Sequence, residues 1–317
     1  MLLASFILMV SLGILMVSAD KFVEGAASIA HSRKLPTIVI GMTVLAFGSS
    51  APEMVIAASA ALAGITDTAI GNVIGSNITN IGLILGLTAV IAPVMVSKSS
   101  LKELPVFIGC SILVGVLMFG GTLGYIEGVI LLLCFVAFLA YQFHRARHGA
   151  NEREDDVGDS LGLDEIDVNV PINKAVILCV FGFIGLIASS QTTVMSAMYI
   201  AEKLLISDLV IGLTVIALGT SLPELATSLA SIKKGEHDMA IGNVIGSNIF
   251  NVLAVLGIPA LLSPSIIDTE AITRDFPVMM AFTAVMVALC FVGKVNRVSG
   301  FILLISYIAY QYHLLIG

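Results

Sequence analysis

The chain has 317 residues, 58% of them hydrophobic and 12% charged, with a mean hydropathy of +1.05. An average soluble domain carries about 45–50% apolar and about 25% charged residues, so a water-soluble globule is excluded. The net charge of −7 gives no reason to expect a nucleic-acid partner.

Ten apolar runs follow one another, each close to the ~20 residues that a membrane-crossing helix needs. The first, 2–19, lacks a basic leader and is followed by Asp20, Lys21 and Glu24, so it is expected to be a retained membrane helix rather than a cleaved signal. Runs at 37–62, 69–93, 105–121 and 125–143 complete a first group of five. Runs at 172–190, 207–232, 240–262, 277–293 and 298–316 make a second. The expectation is an all-α, polytopic membrane protein with ten transmembrane helices and the lipid bilayer as its solvent. Its expected divisions are a five-helix repeat (1–144), an acidic linker (145–170) and a second five-helix repeat (171–317). With no Trp in the chain, any aromatic belt must come from Tyr and Phe.

Eight acids lie between Glu152 and Asp167. The stretch reads as a solvated linker, because acidic runs poor in aromatics stay unpacked, and its spacing does not fit an EF-hand loop. Cys110, Cys134, Cys179 and Cys290 sit singly in apolar runs and read as free thiols behaving as small hydrophobes. Starting with the N-terminus outside, 13 of the 15 Lys and Arg fall in inner loops, and only Lys203 and Arg274 fall outside. The positive-inside rule then places both termini outside and the acidic linker in the cytoplasm of an inner-membrane protein.

The two groups of runs share a motif. Residues 41–80 and 212–251 align without a gap at an offset of 171, with 21 of 40 positions identical. Five helices per half is an odd number, so the second half must enter the membrane inverted. Inverted repeats place a shared site near the midplane, where alternating access can expose it to either side.

Within the motif, GSSAPE ends at Glu53 and GTSLPE ends at Glu224, each in the middle of an apolar run. Pro52 and Pro223 have no N–H, and each crowds the carbonyl four residues back, so each helix should break there. A bare carbonyl at bilayer depth is tolerable only inside protein or beside a wet cavity. Glu53 and Glu224 would cost several kcal/mol each as lone anions in hydrocarbon, and no Lys or Arg of these runs lies at matching depth. Their counter-charge must therefore be a bound cation or a proton. Two carboxylates beside the oxygens of Ser49, Ser50, Thr220 and Ser221 form a hard-oxygen set suited to Ca²⁺, Mg²⁺ or Na⁺.

The following run of each half carries GNVIGSN. Asn72, Ser76 and Asn80 are spaced i, i+4, i+8 along one helix face, and Asn243, Ser247 and Asn251 repeat the pattern. These read equally as ligands or as interhelical hydrogen-bonding groups, whereas Asn77 and Asn248 fall off the stripe and read as packing. Gly71 with Gly75, and Gly242 with Gly246, are small-xxx-small pairs expected to let helices approach closely. No HExxH, GxSxG or Walker A sequence occurs, so no enzyme activity is expected. The rival readings are a proton-coupled Ca²⁺ antiporter, a cation channel and an intramembrane hydrolase using the two acids as a dyad.

On G-[ST]-S-x-P-E followed by GN-x-x-GSN, present in both halves, the chain resembles the cation/calcium exchanger superfamily, specifically the bacterial inner-membrane sodium/calcium antiporters. The resemblance implies ten helices, four central cation sites, a sliding peripheral helix pair and Na⁺-driven Ca²⁺ transport. It requires no cofactor beyond the transported Ca²⁺ and Na⁺, with H⁺ as the alternative counter-ion. It implies a Ca²⁺ site at Glu53 and Glu224 with the carbonyls of Ser49 and Thr220. It implies Na⁺ sites at Ser50, Ser76 and the Ala217 carbonyl, and at Ser221, Ser247 and the Ala46 carbonyl. Some members carry Asp where this chain has Asn251, so two acids are the most this site holds.

Overall fold

The computed structural model describes residues 2–33, 35–62, 66–148, 171–203 and 220–316. The acidic segment 152–167, Ala217 and the first part of the run expected at 207–232 lie outside the described residues. The first half comprises α1 (Leu2–Ser32), α2 (Thr37–Ser49), α3 (Ala51–Leu62), α4 (66–91), α5 (Leu104–Met118) and α6 (Tyr125–His148). The second comprises α7 (Ile172–Lys203), α8 (Leu222–Lys233), α9 (His237–Leu262), α10 (Ala271–Val292) and α11 (Arg297–Ile316). Among the described residues, seven stretches are long and apolar enough to cross a membrane: Leu2–Ser32, Ile70–Ile91, Lys98–Met118, Tyr125–Ala146, Ile172–Thr193, His237–Leu262 and Ala271–Val292.

Two boundaries differ from the sequence expectation. The run ending at residue 19 continues as helix to Ser32, and the run ending at residue 190 continues to Lys203. Hydropathy falls where polar or charged residues begin, but the helix does not, because those groups are partnered: in α7 the hydroxyls of Thr192 and Thr193 donate to the carbonyls of Ala188 and Ser189, each at 2.8 Å. Lys21 Nζ lies 2.7 Å from Glu24 Oε2, and Lys234 Nζ lies 3.1 Å from Asp20 Oδ1. The buried stripe also runs on through Phe22, Val23, Ala26, Ala27 and Ala30. At 1.5 Å per residue, α1 is ~46 Å long and packs along α7. Together with Ile40, Leu45, Ala226, Ala230 and Met239, the pair forms a core cluster of its own. A larger cluster joins α4, α5, α9, α10 and α11.

The run 37–62 is two half-helices. Ser50, at φ −85° and ψ 6°, separates α2 from α3. Its counterpart Ser221, at φ −89° and ψ 2°, opens α8. Both occupy the sparsely populated bridge region, two residues before a proline that cannot supply the missing helical hydrogen bond. The mid-helix repeats diverge from ideal geometry at matching places too. A π-helical segment begins at Asn80 in α4 and at Asn251 in α9.

Short strands tie the halves together at separate ends of the helices. β1 (Val94–Met95) pairs antiparallel with β4 (Lys294–Val295), with Val94 opposite Val295. β2 (Thr122–Leu123) pairs with β3 (Ser265–Ile266), with Thr122 opposite Ile266. In repeat terms, β1 corresponds to β3 and β2 to β4, so each strand pairs with the counterpart of the other's hairpin. Gly121 (φ 71°) and Gly293 (φ 84°) lead into β2 and β4 in the left-handed conformation that glycine adopts without strain.

Matching acids also stand two residues before a proline in Glu103-Leu104-Pro105, at the start of α5, and in Asp275-Phe276-Pro277, at the end of the π-helical first segment of α10. Glu103 is fully buried, pairs with Arg145 and accepts from Gln142 Nε2 at 3.0 Å. Asp275, with its side chain 17% exposed, accepts from Arg274 Nε at 2.8 Å and Tyr310 Oη at 3.0 Å. Each acid thereby fastens one hairpin, α5 to α6 or α10 to α11. The four cysteines are free thiols.

Candidate cation site

The two breaks meet in the centre of the helices. Ser49, Ser50, Glu53, Thr220, Ser221, Glu224, Ser76, Ser247, Asn80 and Asn251 are all buried, at 5% exposure or less, as is Ala46. Pro52 and Pro223 are buried beside them. This arrangement follows from the half-helices. Chain reversal is unnecessary when a helix merely breaks, so Ser50 and Glu53 project toward the centre from within a single run. α9 packs on α2 and α8, and the π-segment of each long helix lies against the carboxylate-bearing helix of the other half.

Contacts cross between halves. Ser50 Oγ donates to Glu224 Oε1 at 3.0 Å, and the two carboxylates interact electrostatically. Ser49 Oγ lies 3.4 Å from Ser247 Oγ and 3.3 Å from Asn243 Oδ1. The Ala46 carbonyl accepts from the Ser50 backbone N–H at 2.9 Å. Asn80 Nδ2 donates to Asn248 Oδ1 at 3.0 Å, and Asn251 Nδ2 donates to Asn77 Oδ1 at 3.1 Å. These two bonds are the same bond written once from each half.

Asn77 and Asn248 are thus brought to the polar stripe of the opposite half, which helical spacing along their own helix did not reveal. The π-segment beginning three residues later adds a residue to the turn and rotates the face. The signal in the sequence was their identity in both repeats. Asn243 was legible as a member of the stripe, but its actual partners belong to α8. Its Nδ2 lies 3.2 Å from the Glu224 carbonyl, 3.0 Å from Thr227 Oγ1 and 3.0 Å from Ser228 Oγ.

The glycine pairs differ. A Cβ on Gly246 would sit 2.6 Å from Met42 Cα, and one on Gly242 would sit 2.7 Å from the Ile38 carbonyl oxygen. α9 and α2 therefore touch through backbone at these positions. No described atom lies within 4 Å of a Cβ built on Gly71 or Gly75, so among the described residues the close approach expected at those two glycines is not seen.

Four of the unsatisfied buried atoms share one chemistry. Glu53 Oε2, Glu224 Oε2, Asn80 Oδ1 and Asn251 Oδ1 are buried oxygens with no partner among the described residues. All four are acceptors and come in repeat-related pairs. A buried acceptor left unmatched costs about 1–3 kcal/mol, and more if charged, so a set of four fits a Lewis acid rather than another donor. The ion pairs of the described residues lie elsewhere, at Lys21, His31, Arg145, Lys234 and Arg274. No group of three or more His, Cys, Asp or Glu arranged to hold a metal ion occurs among the described residues. A cation held here would meet two carboxylates and otherwise neutral oxygens, a donor set that excludes soft metals.

A helical membrane protein whose halves share one oxygen-lined centre belongs to the class of membrane transport proteins. The chain matches the family described as sodium/calcium exchanger protein over residues 3–144 and 174–316, and it belongs to that family. It is 44% identical to "Putative antiporter CaxA" of Alkalimonas amylolytica, over 98% of each chain. It is 38% identical to the inner membrane protein YrbG of Escherichia coli K12, covering 92% of this chain and 89% of that one. Its fold is similar to that of the sodium-calcium exchanger NCX_Mj soaked with 2.5 mM Na⁺ and 0.1 mM Ca²⁺, with a TM-score of 0.84, 31% identity and 98% of each chain covered.

Proposed function

We propose that this protein is a secondary antiporter that exchanges Ca²⁺ for Na⁺ by alternating access at Glu53 and Glu224. The observation that carries the reading is the set of four buried, partnerless acceptor oxygens drawn equally from the two halves. Two carboxylates contribute −2, so one Ca²⁺ or two Na⁺ neutralise the centre. A charged centre is costly to occlude in a low-dielectric interior, whereas a neutralised one is not. Ca²⁺ and Na⁺ therefore compete for the same oxygens, and only a loaded centre passes between the two faces. Ser49, Ser50, Ser76, Ser221 and Ser247, with the carbonyls of Ala46 and Thr220, complete the shells of the individual ions.

The architecture that belongs to this proposal is ten membrane-crossing helices in two inverted repeats, 1–144 and 171–317, joined by the linker 145–170. The crossed pairing of β1 with β4 and β2 with β3 supports inversion, because equivalent hairpins meet the opposite half at separate ends. The basic-residue distribution supports outside termini and a cytoplasmic linker. NCX_Mj is described as a sodium-calcium exchanger that undergoes ion exchange and binding-site occlusion, and its similarity over the whole chain supports Na⁺ as the counter-ion.

The test is uptake of radioactive Ca²⁺ into proteoliposomes preloaded with Na⁺, against choline loading at matched pH. Uptake that requires internal Na⁺ and vanishes in Glu224→Gln is expected. Uptake indifferent to Na⁺ but driven by a pH gradient would replace Na⁺ with H⁺ as the coupling ion. Flux that needs no counter-ion would make the protein a channel.

A further inference from the structure

We propose that Asn243 is a positioning residue that makes the two site carboxylates unequal, tying the Glu224 half of the centre firmly to α9 while the Glu53 half stays untied. The inference rests on the cation-site reading above and concerns how that site is held rather than whether it exists.

Asn243 is fully buried. Its Nδ2 carries two hydrogens, and three acceptors on α8 surround it: the Glu224 carbonyl at 3.2 Å, Thr227 Oγ1 at 3.0 Å and Ser228 Oγ at 3.0 Å. Thr227 spends its own hydrogen on the Pro223 or Glu224 carbonyl, at 2.9 and 3.0 Å, so its lone pairs are free to face Asn243. The other end of the amide, Oδ1, accepts from Ser49 Oγ at 3.3 Å. One side chain on α9 therefore grips the backbone at Glu224, the hydroxyls one turn beyond it, and the rim of the break in the other half. α8 cannot tilt against α9 without breaking several bonds at once.

The equivalent residue in the first half is Asn72. Its Nδ2 is buried and has no partner among the described residues. The reason is written in the chain: Thr227 and Ser228 correspond to Ile56 and Ala57, which carry no hydroxyl. The repeat has kept the donor and lost its two hydroxyl acceptors. Ligands already held in place bind an ion without the cost of ordering them, whereas untied ligands must be ordered on binding. Glu224 is the prearranged ligand, and Glu53 is the one that moves to complete the shell. Asn243 consequently governs affinity for the cation more than the maximal rate of exchange.

The test measures the Ca²⁺ dependence of exchange in Na⁺-loaded proteoliposomes, with rates normalised to reconstituted protein. Asn243→Ala removes the grip. Thr227→Val/Ser228→Ala gives the second half the side-chain chemistry that the first half already tolerates, and guards against a variant that merely misfolds. Both should raise the apparent KM for Ca²⁺ roughly tenfold, the effect of losing a net hydrogen bond of about 1.4 kcal/mol, with the maximal rate retained. The converse variant, Ile56→Thr/Ala57→Ser, supplies acceptors to Asn72 and should lower the KM. Loss of maximal rate with an unchanged KM in the first two variants would reduce Asn243 to a structural residue and overturn the proposal. An unchanged KM in the converse variant would overturn the asymmetry. Failure of the unmodified protein to take up Ca²⁺ at all would instead remove the cation-site reading, a different outcome read in the same assay.

Discussion

The helices that carry the two carboxylates, α3 and α8, begin alike and diverge within one turn. Ser50 and Ser221 precede these helices with nearly identical dihedral angles, and a proline and a glutamate follow in the same order. Beyond the glutamate, α8 presents Thr227, Ser228 and Ser231, whereas the matching positions of α3 are Ile56, Ala57 and Ala60. Duplication has preserved the groups that would touch an ion and let the groups behind them drift. A repeat is therefore symmetric only as deep as its chemistry requires.

The largest expected effect breaks or keeps that symmetry outright. Glu53→Gln and Glu224→Gln should each reduce Na⁺-dependent Ca²⁺ uptake to background while membrane insertion stays intact, since either change leaves a single charge facing a divalent ion. Substantial transport in one variant alone would show that the two halves do not share the work.

The hairpin acids separate the halves next. Glu103 is buried against Arg145 and Gln142, so Glu103→Ala leaves a buried cation uncompensated at a cost of about 3–5 kcal/mol. Asp275 is partly exposed and serves Arg274 and Tyr310, a setting in which an ion pair is worth about 0–1 kcal/mol. Thermal unfolding in detergent should lower the melting temperature far more for the first variant than for Asp275→Ala. Equal losses would contradict the difference in burial.

Gly246→Ala probes the contact between halves. A Cβ there meets Met42 Cα at 2.6 Å and the Ala46 Cβ at 2.7 Å, and backbone cannot step aside cheaply. A destabilisation of about 1–3 kcal/mol is expected, read in the same melting experiment; an unchanged melting temperature would mean that α2 and α9 yield easily at the breaks.

The smallest effect tests the crossed asparagines. Asn77→Ala and Asn248→Ala each remove one asparagine–asparagine bond, with an expected cost of about 1 kcal/mol apiece, and Asn77→Ala also removes a weak donation from Nδ2 to Met279 Sδ at 3.5 Å. Because the two bonds are repeat-related, the melting temperatures of the two variants should agree. A marked difference would place the asymmetry at the π-segments as well as at α8.

Much of this was legible before any coordinates. The offset of 171 residues, the prolines, the paired glutamates and the surrounding hydroxyls defined which groups could meet an ion. Hydropathy located the helices but ended α1 and α7 too early, since it registers the charges of the one and the hydroxyls of the other and not the partners that let a helix carry them. The stripe Asn72, Ser76, Asn80 was correct as spacing, yet it missed Asn77 and Asn248, because an ideal helix contains no π-segment to turn them inward. Glu103 gave no signal beyond a charge beside a proline, and its burial depends on Arg145 and Gln142 arriving from a helix forty residues away.

The sequence alone determined the duplicated oxygen set and its charge, because those follow from residue identity, and the helix breaks, because proline forbids a local hydrogen bond wherever it stands. Only the tertiary structure decided which oxygens are shared between halves, which asparagine is satisfied and which is not, and which acid is sealed from solvent. Those properties depend on distances between segments far apart in the chain, and a hydrogen bond that exists at 3.0 Å has no counterpart in the order of residues.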